Sequence, residues 1–177
     1  MPVVKLIADS GATKAEWCLL KNGRKKTLFT QGISPYFLNT EQIYQLLEKE
    51  LKPLLRKEEI HEIYYYGTGC ANPLNARSVK KAISKSFSGA KVEVTHDLMG
   101  AARALCGRDK GVACILGTGA NSCYYNGKKI LKNSPGLGYV LGDEGSGAYL
   151  GKKVIQYYLY GTFDDELRGR FDLTYTT

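Results

Sequence analysis

Two short turns made of small and hydroxylated residues are the first candidates for chemistry: Asp9-Ser10-Gly11-Ala12-Thr13-Lys14, and Gly117-Thr118-Gly119-Ala120-Asn121. Small side chains let a backbone approach an anion closely, its N–H groups donate, and Ser or Thr hydroxyls add donors, so either turn could hold a phosphate. Asp9 could hold Mg2+ through water and Lys14 could sit against a phosphate oxygen. Neither turn is a P-loop, because GxxxxGK[ST] is absent, and each alone could be an ordinary turn. Asp97, in VEVTHDLMGAARA, ends an apolar run just before a helix-like segment. A carboxylate there faces the crevice at the carboxyl ends of a sheet and could take a proton from an attacking hydroxyl. It is equally suited to cap the helix, and the residues alone leave both open. His96 beside it reads as a packed or surface histidine. Asp143 and Glu144, in GDEGSG, suit the positive end of a helix. The density of glycine around them (Gly136, Gly138, Gly142, Gly145 and Gly147) points instead to close backbone approach to a ligand.

These residues need elements to position them. Apolar and β-branched runs at Val3–Asp9, Glu16–Leu20 and Lys26–Gln31, the last two joined by Asn22-Gly23, predict three hairpin-linked strands. Asn39 and Thr40 offer caps for a helix through Leu55, with Ile43, Leu46, Leu47, Leu51, Leu54 and Leu55 along one face. Strand Glu62–Tyr66, helix Asn75 to about Phe87, strand Lys91–Thr95 and helix Leu98–Cys106 complete a βββαβα pattern with a further strand and helix. At Gly111 the pattern restarts: strand Val112–Leu116, a Gly-Thr-Gly-Ala turn, strand Asn121–Tyr125, Asn126-Gly127, and strand Lys128–Leu131. Laying the first turn on the second makes the two Asn-Gly hairpins coincide after a gap of four residues, as a duplication would. The charged, Gly-containing stretch near Arg108–Gly111 suits a junction, dividing the chain into 1–109 and 110–177. The Gly-rich segment feeds a helix to about Tyr160, followed by a polar tail, so the second copy reads as cut short.

Composition narrows the class. The chain has 177 residues, 44% hydrophobic and 24% charged, which fits a globular protein with a real core. No apolar run approaches the roughly 18 residues that span a bilayer, and Asp9 interrupts what a signal peptide would need. The five cysteines form no CxxC pair and have no nearby histidines, which predicts reduced thiols in the cytoplasm. The net charge of +8 is spread over short clusters such as Lys21–Lys26 and Lys128–Lys132. Without a recognition motif it reads as a solvated basic face that favours small anions over nucleic acid.

DSGATK, HDLMGAA, LGTGANS and GLGYVLGDEGSGAYLG, in that order, resemble the N-acetylglucosamine kinase branch of the BadF/BadG/BcrA/BcrD ATPase family, within the actin–hexokinase–Hsp70 superfamily. The similarity runs from Val3 to about Tyr160. It implies a duplicated ribonuclease-H-like (actin-like ATPase) fold, α/β with a mixed βββαβα sheet, the second copy incomplete in this chain. It implies ATP and Mg2+ as cofactors and an amino sugar as acceptor. Asp9, Ser10, Gly11, Ala12, Thr13 and Lys14 would match one phosphate motif, and Gly117, Thr118, Gly119, Ala120 and Asn121 the other. Asp97 would match the catalytic base, which tips the open choice above. Ser34, Asp97, Thr118, Gly136, Gly138, Asp143 and Glu144 would be the sugar contacts, with Ser34 standing where the family usually has Asn. Family chains continue well beyond this one, so a piece of a longer kinase or a shortened paralogue is expected. A homodimer is left open, and neither nucleic acid nor a membrane is expected as partner. The alternatives are a sugar- or nucleotide-binding module without turnover, and an activator ATPase of the same family that bridges an iron–sulfur cluster.

Overall fold

A computed structural model describes residues 3–56, 58–134 and 136–175. Its strands and helices follow the hydrophobic periodicity closely. Strands β1 (Lys5–Ser10), β2 (Lys14–Lys21) and β3 (Arg24–Gln31) form an antiparallel meander, and β4 (Glu62–Gly67) and β5 (Lys91–Thr95) add to its β1 edge in parallel. The five-stranded order is β3-β2-β1-β4-β5. Alternation sends Leu6, Ala8, Trp17, Ile63 and Tyr65 to one face, all fully buried. The Trp17 indole N–H donates to the Thr30 hydroxyl at 3.0 Å, so the largest core side chain leaves no polar atom unpaired.

That face is covered by helices α1 (Thr40–Leu46) and α2 (Pro73–Ser86). Asn39 caps α1 as expected, in a reciprocal box with Gln42. The long helix expected through Leu55 changes character, however. It becomes a π-turn over Leu47–Leu51 and a 3-10 turn over Lys52–Leu55. Pro53 has no N–H to continue the α ladder, and the altered winding keeps Leu47, Leu51 and Leu55 buried. Each fully buried Leu or Ile contributes about 1.5–3 kcal/mol, enough to outweigh the poorer hydrogen-bond geometry.

A second, three-stranded antiparallel sheet is made by β6 (Lys110–Leu116), β7 (Ala120–Asn126) and β8 (Ile130–Asn133). Helix α3 (Asp97–Cys106) lies between the sheets. Its Leu98 and Ala102 pack with Ala113, Cys123 and Tyr125 of the second sheet, in a core separate from the first. The chain then forms α4 (Gly138–Leu141) and α5 (Gly147–Leu159). The stretch expected to be a polar tail forms a helix, α6 (Asp165–Tyr175). Asp164 accepts from the Leu167 N–H at 2.8 Å to start it, and Phe171 stacks on Tyr158 of α5 at 4.3 Å. Among the described residues no helix is long and apolar enough to cross a membrane.

Candidate active site

β1 delivers Asp9 by alternation: Leu6, Ala8 and Ser10 point into the core, so Asp9 points to the other face. Register sets Glu16 of β2 on one side of it and Tyr66 of β4 on the other. The turn that follows is closed by the Gly11 N–H donating to the Lys14 carbonyl at 3.0 Å. Gly32 braces it from behind. Its N–H donates to the Thr13 carbonyl at 3.0 Å, and a Cβ there would lie 2.4 Å from the Gly11 oxygen and 2.6 Å from the Ala12 oxygen. No side chain fits that approach. In a trans peptide the C=O and the following N–H point in opposite directions, so the N–H groups of Ala12 and Thr13 face away from Gly32. Among the described residues they donate to no acceptor.

The hairpin between β6 and β7 forms the second turn, closed by the Gly117 N–H donating to the Gly119 carbonyl at 2.9 Å. Here too two N–H groups, those of Thr118 and Gly119, donate to no acceptor among the described residues. Residues 9–13 and 117–121 line one open cleft of about 770 Å³, together with Asp97 and Asp143.

Asp97 is the first residue of α3, not its cap; His96 holds the cap position and makes no side-chain capping bond. The Asp97 carboxylate accepts from the Leu98 N–H at 2.8 Å. The helix is fixed to the first sheet by close contact and by charge. A Cβ on Gly100 would meet the Tyr66 ring at 2.9 Å, and Arg103 donates to the Tyr66 hydroxyl at 2.9 Å and to the Glu93 carboxylate at 2.8 Å. Tyr66, Thr68 and Gly100 line the cleft but were not expected to. A glycine inside the helical run DLMGAARA was the one signal that could have marked that contact.

Burial pushes the Asp9 carboxyl above its ordinary value, and the charges of Asp97 and Glu16 push it further. Burial lowers the His96 imidazole, with Asp97 opposing. Among the described residues neither Asp9 nor Asp97 makes an ion pair, and no group of three or more metal-ligating side chains is placed to enclose an ion. That donor set suits a Mg2+ that keeps most of its waters and takes phosphate oxygens, not one caged by protein. The free N–H pairs of the two turns likewise suit phosphate oxygens.

Several expected contacts lie elsewhere. Lys14 does not line the cleft; its ammonium sits 4.0 Å above the Phe29 ring. The Ser10 side chain is buried, its hydroxyl accepting from the Ile33 N–H at 3.1 Å and donating to the Gly11 carbonyl, so it braces the turn from within. Ser34 is 4% exposed and outside the cleft wall, its carbonyl accepting from the Phe37 and Leu38 N–H groups. Gly136 and Glu144 line an adjoining cavity of about 300 Å³, and Gly138 lines neither. Asp143 belongs to both cavities, with φ +60° and its carboxylate 3.4 Å from the Ala120 N–H.

No family model and no curated protein matches the chain. Among solved structures it is 41% identical to a protein of Porphyromonas gingivalis provisionally named an N-acetylglucosamine kinase, with a TM-score of 0.90 over 96% of this chain and 61% of that one. A second protein, from Chromobacterium violaceum and similarly named, is 18% identical with a TM-score of 0.76 over 98% of this chain and 64% of that one. A ROK hexokinase from Thermus thermophilus is 18% identical with a TM-score of 0.51 over 78% of this chain and 50% of that one. The last two show the fold alone, and this chain spans less than two thirds of the length of each of the three. In sequence and in fold the chain is N-acetylglucosamine kinase-like, an actin-like ATPase fold whose second copy is represented by β6, β7 and β8.

Proposed function

We propose that the cleft binds Mg-ATP and an amino sugar, most simply N-acetylglucosamine, and transfers the γ-phosphoryl group to a sugar hydroxyl. The observation that carries this reading is the pairing of the two turns. Each has two N–H groups that donate to no acceptor among the described residues, and both turns line one cleft that also contains Asp9 and Asp97. Similarity to the 41% identical relative supports a sugar kinase over other phosphate-handling chemistries. The halves meet near 109/110 on this reading.

In the proposed reaction the N–H groups of Ala12, Thr13, Thr118 and Gly119 hold phosphate oxygens in line for displacement. Asp9 would hold the ion through water, and Mg2+ there would supply positive charge against the phosphate oxygens. Asp97 accepts the proton of the attacking hydroxyl as its oxygen bonds to the γ-phosphorus and the bond to the β–γ bridging oxygen breaks. Asp143, between the two cavities, is the best-placed of the expected sugar contacts; Asp97 and Thr118 are the others that line the cleft. All five cysteines are free thiols, which fits a reducing compartment such as the cytoplasm. Only Cys114 among them is exposed, which disfavours a cluster-bridging activator ATPase.

The test is ADP release by this chain with Mg-ATP over a panel of amino sugars and neutral hexoses. Sugar-dependent release, largest with an N-acetylated amino sugar, is expected. Because the chain spans 61% of its 41% identical relative, the competing outcome is a binding module: calorimetric sugar binding without turnover.

A further inference from the structure

The Gly-rich segment before α5 does more in this structure than face a ligand. The Gly147 N–H donates to the Gly117 carbonyl at 2.8 Å, and the Ala148 N–H to the Thr118 carbonyl at 3.3 Å. Both donors are first-turn groups of α5, which the helix itself leaves unpaired. Ser146, fully buried, caps α5 by accepting from the Tyr149 N–H, and its own N–H donates to the Asp143 carbonyl at 3.0 Å. Asp143 in turn places its carboxylate by the Ala120 N–H, close enough that a Cβ on Gly119 would lie 3.1 Å from it. The start of α5 therefore grips three successive peptide units of the second turn.

Among the described residues no peptide bond is cis, so each C=O and the N–H of its own peptide unit point opposite ways. The carbonyl of Gly117 shares a unit with the N–H of Thr118, and the carbonyl of Thr118 with the N–H of Gly119. Drawing both carbonyls toward α5 turns both N–H groups away from it, and both residues line the cleft. The geometry points to a positioning role for Asp143 and Ser146–Ala148: they form a strut that aims the Thr118 and Gly119 N–H groups at the phosphates of the nucleotide. This rests on the reading of the cleft given above. It also makes Asp143 a mechanical link, since a sugar that draws its carboxylate away loosens the turn that holds phosphate.

The strut can be cut at one bond. Gly147 is the first helical residue, where proline is well tolerated, and the extended Ser146 (φ −70°, ψ 162°) suits a residue before proline. Gly147→Pro removes the donor to Gly117 and sets the ring Cδ where that hydrogen stood, against an oxygen 2.8 Å from the nitrogen, so the turn must move off α5 while the first helical position itself accepts proline. Gly147→Ala keeps the donor and adds a methyl group in ordinary contact, 3.4 Å from the Gly117 oxygen. Two measurements on the full chain decide: amide hydrogen exchange at Gly117, Ala120 and Ala148, and calorimetry with Mg-ATP. In Gly147→Pro, exchange at these amides should rise and nucleotide affinity should fall, each roughly five- to tenfold for the lost hydrogen bond. Gly147→Ala should match the wild type in both. Unchanged exchange in Gly147→Pro overturns the strut. Raised exchange with unchanged affinity overturns its role in phosphate binding. If the wild type binds no nucleotide, the reading of the cleft fails by itself, and the exchange measurement still decides the strut.

Discussion

Asp9 must ionise beside Asp97 and Glu16 in a cleft whose walls exclude part of the water, and its carboxyl is therefore held above the ordinary range. The unfolded chain carries no such penalty. The stability Asp9 contributes is thus fully present below its unfolded value and is lost as pH rises through the folded one. Asp9→Asn should flatten that part of the pH–stability profile and raise the melting temperature of the ligand-free protein near neutrality, as thermal unfolding across pH would show. The same variant should lose the benefit of ligand: Mg-ATP at about 100 times Kd stabilises the wild type by about 2.7 kcal/mol, and the variant by less. Unequal legibility at this scale has a physical cause. The placement of Asp9 and Asp97 on the cleft wall was legible because Asp9 lies near the end of β1 and Asp97 opens the helix that follows β5, both at the carboxyl edge of the sheet. The placement of Lys14 depended on its register against β3, where it pairs with Gln31 and reaches Phe29, and register is invisible in a single strand.

At the scale of elements, α3 carries the proposed base, and its position depends on contacts remote in sequence. Arg103 ties it to β4 through Tyr66 and to β5 through Glu93. Arg103→Leu should cost about 1 kcal/mol of stability, since the pair is partly exposed, and should lower kcat several-fold with KM for ATP little changed. Arg103→Lys, which keeps one bond and the charge, should recover part of kcat; steady-state kinetics and thermal unfolding check both. Strands and most helices were legible from periodicity and caps. The π and 3-10 turns after Leu46 were not, because an apolar stripe continues through them while Pro53 changes the winding. Helix α6 was missed because its sequence, DELRGRFDLTY, has little apolar periodicity and only a few aromatics to hold it, chiefly on Tyr158.

Across the whole molecule, the repeated strand–turn–strand text becomes two sheets whose turns open onto one cleft. The turns are alike in their proposed role but are braced differently, the first by Gly32 and the second by the start of α5. That difference follows from what lies behind each turn, which no local repeat encodes. The second sheet and α5 also show apolar surface, with Val112 at 67% and Leu116 at 68% exposure on β6 and Leu159 at 75% on α5. Surface of that kind is where further polypeptide or a second copy would pack. Phosphoryl transfer in the cleft to a sugar hydroxyl, with Asp97 as the proposed base, is decided by comparing wild type with Asp97→Asn. N-acetylglucosamine-dependent ADP release and Mg-ATP binding are measured side by side. Turnover should fall about 10²- to 10⁴-fold with nucleotide affinity kept; sugar-dependent turnover in Asp97→Asn equal to the wild type would exclude Asp97 as the base.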